Sequence, residues 1–257
     1  MEPELQYKNA ITSYGFILLQ KKANDFHVLL IRRRYSIGFT AFIIGKYQID
    51  DYKFLNHLFQ IMTQEEKHFL LSESFHTLWE RIWFLPESPC LQKKFRIAYE
   101  QFELVKQGYV NNLGQMIVLH DLIQNNNSIW SEPDWGLPKG RKDKNENALA
   151  CAIRELQEET GIDAFQFVHL DKIYPLYEKY IGSDGFLYKH VYYVGILNEN
   201  IIPKIDNNNQ YQMAEIGDIK ICSFQEAIES MRTNKRHKSK MFEKLMDIIN
   251  IKYPEII

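Results

Sequence analysis

The segment 154–161, "RELQEETG", sets Glu155, Glu158 and Glu159 within five residues behind Arg154. Like charges at helical spacing cost an isolated helix about 0.2–0.5 kcal/mol per pair, a penalty that a bound divalent cation reverses. Placed on a helix over 148–160, Leu149, Ala152, Ile153 and Leu156 form one apolar stripe, and the three glutamates gather on roughly the opposite side. Clustered hard oxygen ligands suit Mg²⁺ or Mn²⁺. The competing reading of these residues alone is a solvated acidic face.

The wider spacing favours the metal. In "GRKDKNENALACAIRELQEETGI" (140–162), Gly140, Glu146, Arg154, Glu155, Leu156, Glu158, Glu159, Gly161 and Ile162 occupy every defined position of the Nudix box, and the segment resembles that family. Gly140 allows a tight turn whose carbonyl can face a metal, and Gly161 suits the left-handed residue just past a helix end. The resemblance implies that Glu146 pairs with Arg154 to brace loop against helix. It also implies that Glu155, Glu158 and Glu159 bind metal, and that one of them, or a glutamate elsewhere, activates water. The implied reaction is hydrolysis of a diphosphate linkage. Cations screen the anionic substrate, lower the pKa of the attacking water and stabilise the departing phosphate.

Upstream stands "WGLPKG" (135–140), similar to mRNA-decapping Nudix enzymes, although dinucleoside polyphosphate hydrolases also use Pro-Lys-Gly. Lys139 is a candidate phosphate contact, with a solvated turn lysine as the alternative. The hairpin ending in "RRRYSIGFTAFIIGKY" (32–47), the segments "MTQEEKHFL" and "FHTLWERIWF" (75–84), and the late box resemble the decapping proteins of poxviruses and African swine fever virus over nearly the whole chain. That resemblance implies capped mRNA as substrate, with 7-methylguanosine diphosphate and 5′-monophosphate RNA as products. It also implies RNA held on the insertion, where Lys93, Lys94 and Arg96 of "QKKFR" supply charge and Phe95 a stacking ring. A solvated helix face is the alternative for these residues. A glutamate before the last β-then-α unit joins the metal site or acts as base in decapping enzymes, and Glu215 in "AEIGDIKICSF" occupies that place. Tyr14, Phe16 and Phe42 could stack the cap base, although aromatics at such positions usually pack in cores.

These residues need elements to position them. "SYGFILLQ" (13–20) and "HVLLIRRR" (27–34) read as a β-hairpin. From about Tyr52 to Ile123 the pattern turns helical, with Thr63 and Glu66 forming a capping box, and "QNNNS" (124–128) closes the block. Strands return with "DWGLP" and "FLYKHVYYVGIL" (186–197). "DNNNQYQ" (206–212) reads as an exposed loop. "DIKICSF" then leads into a helix that Ser223 and Glu226 cap, and "NKRHKSK" (234–240) reads as a surface cluster before a final helix. The expected fold is α+β, a Nudix α/β/α sandwich with a mixed sheet, interrupted by an all-helical insertion domain. The parts are 1–35 and 129–257 for the Nudix domain and 36–128 for the insertion.

Composition sets broad limits. The 257 residues are 45% hydrophobic and 25% charged with net charge −2, which suits a globular chain and gives no global attraction to nucleic acid. Cys90, Cys151 and Cys222 lack the spacing of a zinc site or disulfide framework, which favours a reducing compartment. The opening "MEPELQYKNA" lacks a signal pattern and no apolar run is long enough for membrane insertion, so a cytoplasmic protein is expected, in the host cytoplasm if viral. Oligomeric state stays open. The alternatives are a diphosphoinositol polyphosphate or dinucleoside polyphosphate hydrolase, and a non-catalytic RNA-binding module on the same scaffold. The complete set of glutamates argues against the last.

Overall fold

The structure, a computed structural model, describes residues 10–23, 25–83, 88–198, 201–232 and 234–256. Residues 1–9 of the first domain part, and Phe84 at the end of the 75–84 segment, lie outside them. The chain begins with strands β1 (Ile11–Lys22) and β2 (Asp25–Arg33). Helices α1 (Ile37–Ile43), α2 (Tyr52–Ile61), α3 (Gln64–Ser72), α4 (Phe75–Ile82) and α5 (Pro89–Gln107) follow, then short strands β3 (Tyr109–Val110) and β4 (Met116–Ile117), and α6 (Leu119–Gln124). Next come β5 (Trp135–Gly136), β6 (Lys139–Arg141), α7 (Ala148–Thr160), β7 (Phe167–His169), β8 (Leu176–Ile181) and β9 (Leu187–Leu197). The chain closes with α8 (Gln210–Glu215), β10 (Ile216–Ser223), α9 (Phe224–Ser230) and α10 (Lys235–Lys252).

Two compact units result, Met1–Arg33 with Trp135–Ile257, and Arg34–Asp134. The first is built on an eight-stranded sheet whose main path runs β10-β2-β1-β9-β7. β1 and β9 are parallel over Ile11–Leu19, and the remaining pairings are antiparallel, so the sheet is mixed. Strand alternation sorts the core. Phe16, Leu18, Leu29 and Ile31 meet Ala152 and Leu156 of α7 on one face, while Ile17, Leu19, Val28 and Leu30 meet Met241, Phe242, Leu245 and Ile249 of α10 on the other. Each of the larger buried side chains contributes about 1.5–3 kcal/mol.

Near Gly15, β1 leaves β2 and pairs instead with β6, while β2 pairs with β5. The "WGLPKG" segment therefore sits in a split between two neighbouring strands. Arg32 pairs with Trp135, so the chain leaves the sheet for 34–134 and returns to it at one antiparallel rung.

The second unit packs its helices around Phe39, Phe42, Leu58, Phe59, Leu78 and Phe102. Thr63 caps α3 in the expected capping box. Glu66 is nonetheless buried, and it accepts from the Ser36 backbone N–H and hydroxyl, each at 2.6 Å, besides the Thr63 N–H at 2.8 Å. The β3–β4 hairpin is added to the helices of this unit.

Three local expectations change. "DNNNQYQ" is only partly loop, since α8 begins at Gln210 and Gln212 is wholly buried. "NKRHKSK" is not all surface, since Lys238 is buried against Glu178. Phe16 and Phe42 are core residues without exposed area, and of the three aromatic candidates only Tyr14 reaches solvent.

Candidate active site

α7 is preceded by Asn147, whose side chain caps the Ala150 N–H at 2.8 Å, and followed by Gly161 with φ 71°, a left-handed conformation that glycine adopts without a Cβ penalty. Its apolar stripe fixes the helix on the sheet and leaves the glutamates facing β6 and α8. Arg154 is their hub. Its Nε donates to Glu146 Oε1 at 2.9 Å, and its Nη2 to Glu146 Oε2 and to the Arg141 carbonyl, both at 3.0 Å. Nη1 donates to Glu155 at 2.8 Å and to Glu158 at 3.0 Å. The planar guanidinium thereby ties the loop before α7 to two carboxylates one turn apart, which an ammonium could not do.

The electrostatics follow from these contacts. Hydrogen bonds from Arg154 and from the Asp143 N–H hold the Glu146 carboxyl down at about 2. Glu146 in turn keeps Arg154 charged well above the ordinary arginine range. Burial pushes Glu155 up despite Arg154. Burial likewise raises Glu159 to about 8, although its Oε2 accepts the Lys139 backbone N–H at 2.8 Å and the Lys139 charge opposes the rise. Cys151, beneath Arg154, is pushed up to about 12 by burial and by Glu146 and Glu155, which leaves an unreactive thiol.

Gly140 serves the site differently from the expected turn. It lies in β6, and a β-carbon there would fall 2.1 Å from the Glu155 carboxyl carbon. Glycine is needed because the Glu155 carboxylate rests on its backbone. Lys139 pairs with Gly15, which alternates with Ile17 and Leu19 onto the α10 face. There, burial and the Arg33 charge lower the Lys139 ammonium, with Glu159 and Glu178 opposing.

Sequence reasoning missed α8 as a support. Gln212 donates to the Glu159 carbonyl at 3.1 Å and accepts from the Asp206 N–H at 2.6 Å, and Asn209 reaches the Glu158 carbonyl at 3.5 Å. Glu215, exposed at the end of α8, is thereby brought to the cluster, and its charge adds to the upward push on Glu155 and Glu159. It also missed a second polar centre on the α10 face. Glu178 binds Lys238 at 3.1 Å, His190 Nδ1 at 3.1 Å and the Tyr192 hydroxyl at 3.3 Å. No sequence signal joins residues so far apart.

Among the described residues, no three acidic, histidine or cysteine side chains form a ready-made metal cage. Arg154 and the Lys139 N–H currently occupy the carboxylates. The donor set nonetheless fits a hard divalent cation, for Glu155, Glu158, Glu159 and the Gly140 carbonyl offer only oxygen.

Lys93, Lys94 and Arg96 belong to the second unit, exposed on α5, while Phe95 packs inward against Phe75 and Trp79. The Lys94 ammonium lies 5.8 Å from the Trp83 ring centre. No helix among the described residues is long and apolar enough to cross a membrane.

The chain is 33% identical over 219 residues to a candidate mRNA-decapping protein of Acanthamoeba polyphaga mimivirus, covering 79% of this chain and 60% of that protein's length. It is 28% identical over 243 residues to an mRNA-decapping protein of African swine fever virus, covering 91% of this chain and 92% of that one. A shorter stretch of 37 residues, 14% of this chain and 25% of the relative, is 54% identical to the asymmetrical bis(5′-nucleosyl)-tetraphosphatase of Rattus norvegicus. The NUDIX domain model matches residues 111–245, more than half of the sequence, and the chain belongs to the Nudix family.

Proposed function

We propose that this protein is a metal-dependent mRNA-decapping hydrolase. Water adds to one phosphorus of the cap's triphosphate bridge and the P–O bond between its α and β phosphates breaks, giving 7-methylguanosine diphosphate and 5′-monophosphate RNA. The observation that carries a hydrolytic reading is the convergence of Glu155 and Glu158 on one Arg154 nitrogen, with Glu159 held beside them by the Lys139 N–H. Similarity over 92% of a viral decapping protein's length supports the cap as substrate.

In this reading Glu155, Glu158 and Glu159, with the Gly140 carbonyl and Glu215, hold Mg²⁺ or Mn²⁺. The bound ion screens substrate charge and lowers the pKa of water. Glu158 or Glu159 takes the proton of the attacking water, or Glu215 does so from its exposed position. Arg154 and Glu146 keep these oxygens in register. Lys139 is the proposed contact to a substrate phosphate, although its ammonium starts from a buried position on the α10 face with Glu159 and Glu178 acting on it. Lys93, Lys94 and Arg96 hold RNA phosphates on the second unit, and the site of action is the cytoplasm, that of the host if the protein is viral.

Cap-labelled RNA incubated with the protein and Mn²⁺ should release labelled 7-methylguanosine diphosphate, and Glu158→Gln or Glu159→Gln should abolish the release. Uncut RNA in an assay where diadenosine tetraphosphate is hydrolysed would reject the reading. The local identity to the rat tetraphosphatase favours dinucleoside polyphosphates as the second reading; diphosphoinositol polyphosphates belong in the same panel.

A further inference from the structure

The sheet face that carries α7 is covered over only part of its width. Tyr193 and Leu197 of β9 lie under the α7 core, but the side chains that alternate onto this face farther back along β9 and across β8 do not. Tyr177 is 57% exposed, and Lys179 beside it on the same face is exposed as well.

One register row joins this open surface to the carboxylates. Gly140 on β6 pairs with Tyr14 on β1, Tyr14 with Val191 on β9, and Val191 with Tyr177 on β8. Aligned residues of neighbouring strands share a face, and three strand spacings of about 4.8 Å put Tyr177 about 14 Å from Gly140. The Glu155 carboxylate rests on Gly140 on this same face. The neighbouring row carries Lys179 paired with Lys189. Their ammonium groups lie 5.7 and 5.5 Å from the Tyr177 ring centre, and neither has a carboxylate partner among the described residues. An exposed ring and two unpaired cations thus stand at the far end of a strip that begins at the candidate active site.

We propose that this strip is the subsite for the RNA on the 3′ side of the scissile bridge, with Tyr177 stacking one base and Lys179 and Lys189 holding its phosphates. The inference rests on the decapping reading. Charge decides which end of the substrate lies here. A methylated guanine is cationic and is opposed by two ammonium groups, whereas an RNA nucleotide brings a neutral base and an anionic phosphate. At about 14 Å from Gly140, a ligand that touches both ends must be extended, as a polynucleotide is. A phosphate that draws either ammonium aside would free the ring face for a base.

The test uses the whole protein and a fluorescent 5′-monophosphate RNA as probe, so binding is read without turnover. Tyr177→Ala should weaken RNA binding about tenfold, the loss of one base–aromatic stack, and Tyr177→Phe should restore it. Lys179→Gln with Lys189→Gln should flatten the salt dependence of log affinity by about 0.7 for each phosphate no longer neutralised. The inhibition constant of 7-methylguanosine diphosphate should stay at its wild-type value in all three variants. Wild-type RNA affinity in Tyr177→Ala overturns the subsite, and so does weakened 7-methylguanosine diphosphate inhibition with RNA binding intact. Tyr177-dependent RNA binding in a protein that releases no 7-methylguanosine diphosphate supports the subsite and overturns only the decapping reading.

Discussion

Gly140 and Glu155 are made for each other, for the Glu155 carboxyl carbon lies 2.1 Å from where any β-carbon at position 140 would stand. Gly140→Ala must push that carboxylate off the β6 backbone. Gly140 has no positive φ, so the strand itself tolerates alanine. The expected outcome is turnover lowered about 100-fold by displacement of Glu155, a proposed metal ligand, with a melting temperature close to wild type. Mn²⁺ titration calorimetry alongside thermal unfolding checks it, and unchanged metal binding would show that Glu155 has room to move.

Arg154→Lys retains the charge but loses the fork that holds Glu146, Glu155 and Glu158 together. Activity should fall by about 10–100-fold, as for groups that orient metal-binding side chains. Comparing kcat with KM for capped RNA measures it, and the loss should fall on kcat.

Gln212→Ala removes a buried amide and leaves the partly buried Glu159 carbonyl and Asp206 N–H without their partner. A cost of about 1–3 kcal/mol is expected from denaturant unfolding. Hydrogen exchange should localise the loosening to α8 and thus to the position of Glu215.

Acid should destabilise the first unit through Glu178 and His190. Burial alone would raise Glu178, but His190 and Lys238 bring it down to about 2. A carboxylate lowered on folding contributes stability in full above its unfolded value of 4.5, and that contribution is lost as pH falls toward 2. Burial lowers His190 despite Glu178, so it too favours the fold above 6.5 and loses that contribution as pH falls. Melting temperature should therefore decline on acidification through both windows. Lys238→Met, which leaves Glu178 short of its ammonium, should cost about 3–5 kcal/mol at neutral pH.

Lys93→Glu with Lys94→Glu alters exposed residues of α5. RNA affinity should fall, and the slope of log affinity against log salt should flatten by about 0.7 for each phosphate that these lysines no longer neutralise. An unchanged slope would remove RNA from this face.

How much of this was legible in the sequence depended on range. α7 was readable because its apolar stripe, its glutamates and Gly161 all lie within one short segment, where helical periodicity relates them directly. β1, β2 and the capping boxes of Thr63 and Ser223 were readable for the same reason. α8 was not, because asparagine and glutamine read as turn residues, and only the tertiary partners Glu159 and Asp206 make Gln212 a buried one. The Glu178, His190 and Lys238 centre joins β8, β9 and α10, and no local pattern reports which strands will be neighbours. A tight turn was expected at Gly140, whereas the glycine is required by a carboxylate fifteen positions further along, which spacing alone did not reveal.

The rung between Arg32 and Trp135 carries a consequence for how such a chain can vary. Everything from 34 to 134 departs and comes home through a single doorway in the sheet. Lengthening, shortening or exchanging that excursion requires no rethreading of strands, and for a flexible connection each doubling would cost only about 0.6 kcal/mol. The hydrolytic scaffold can thus keep its strand order while its appendage is remodelled freely.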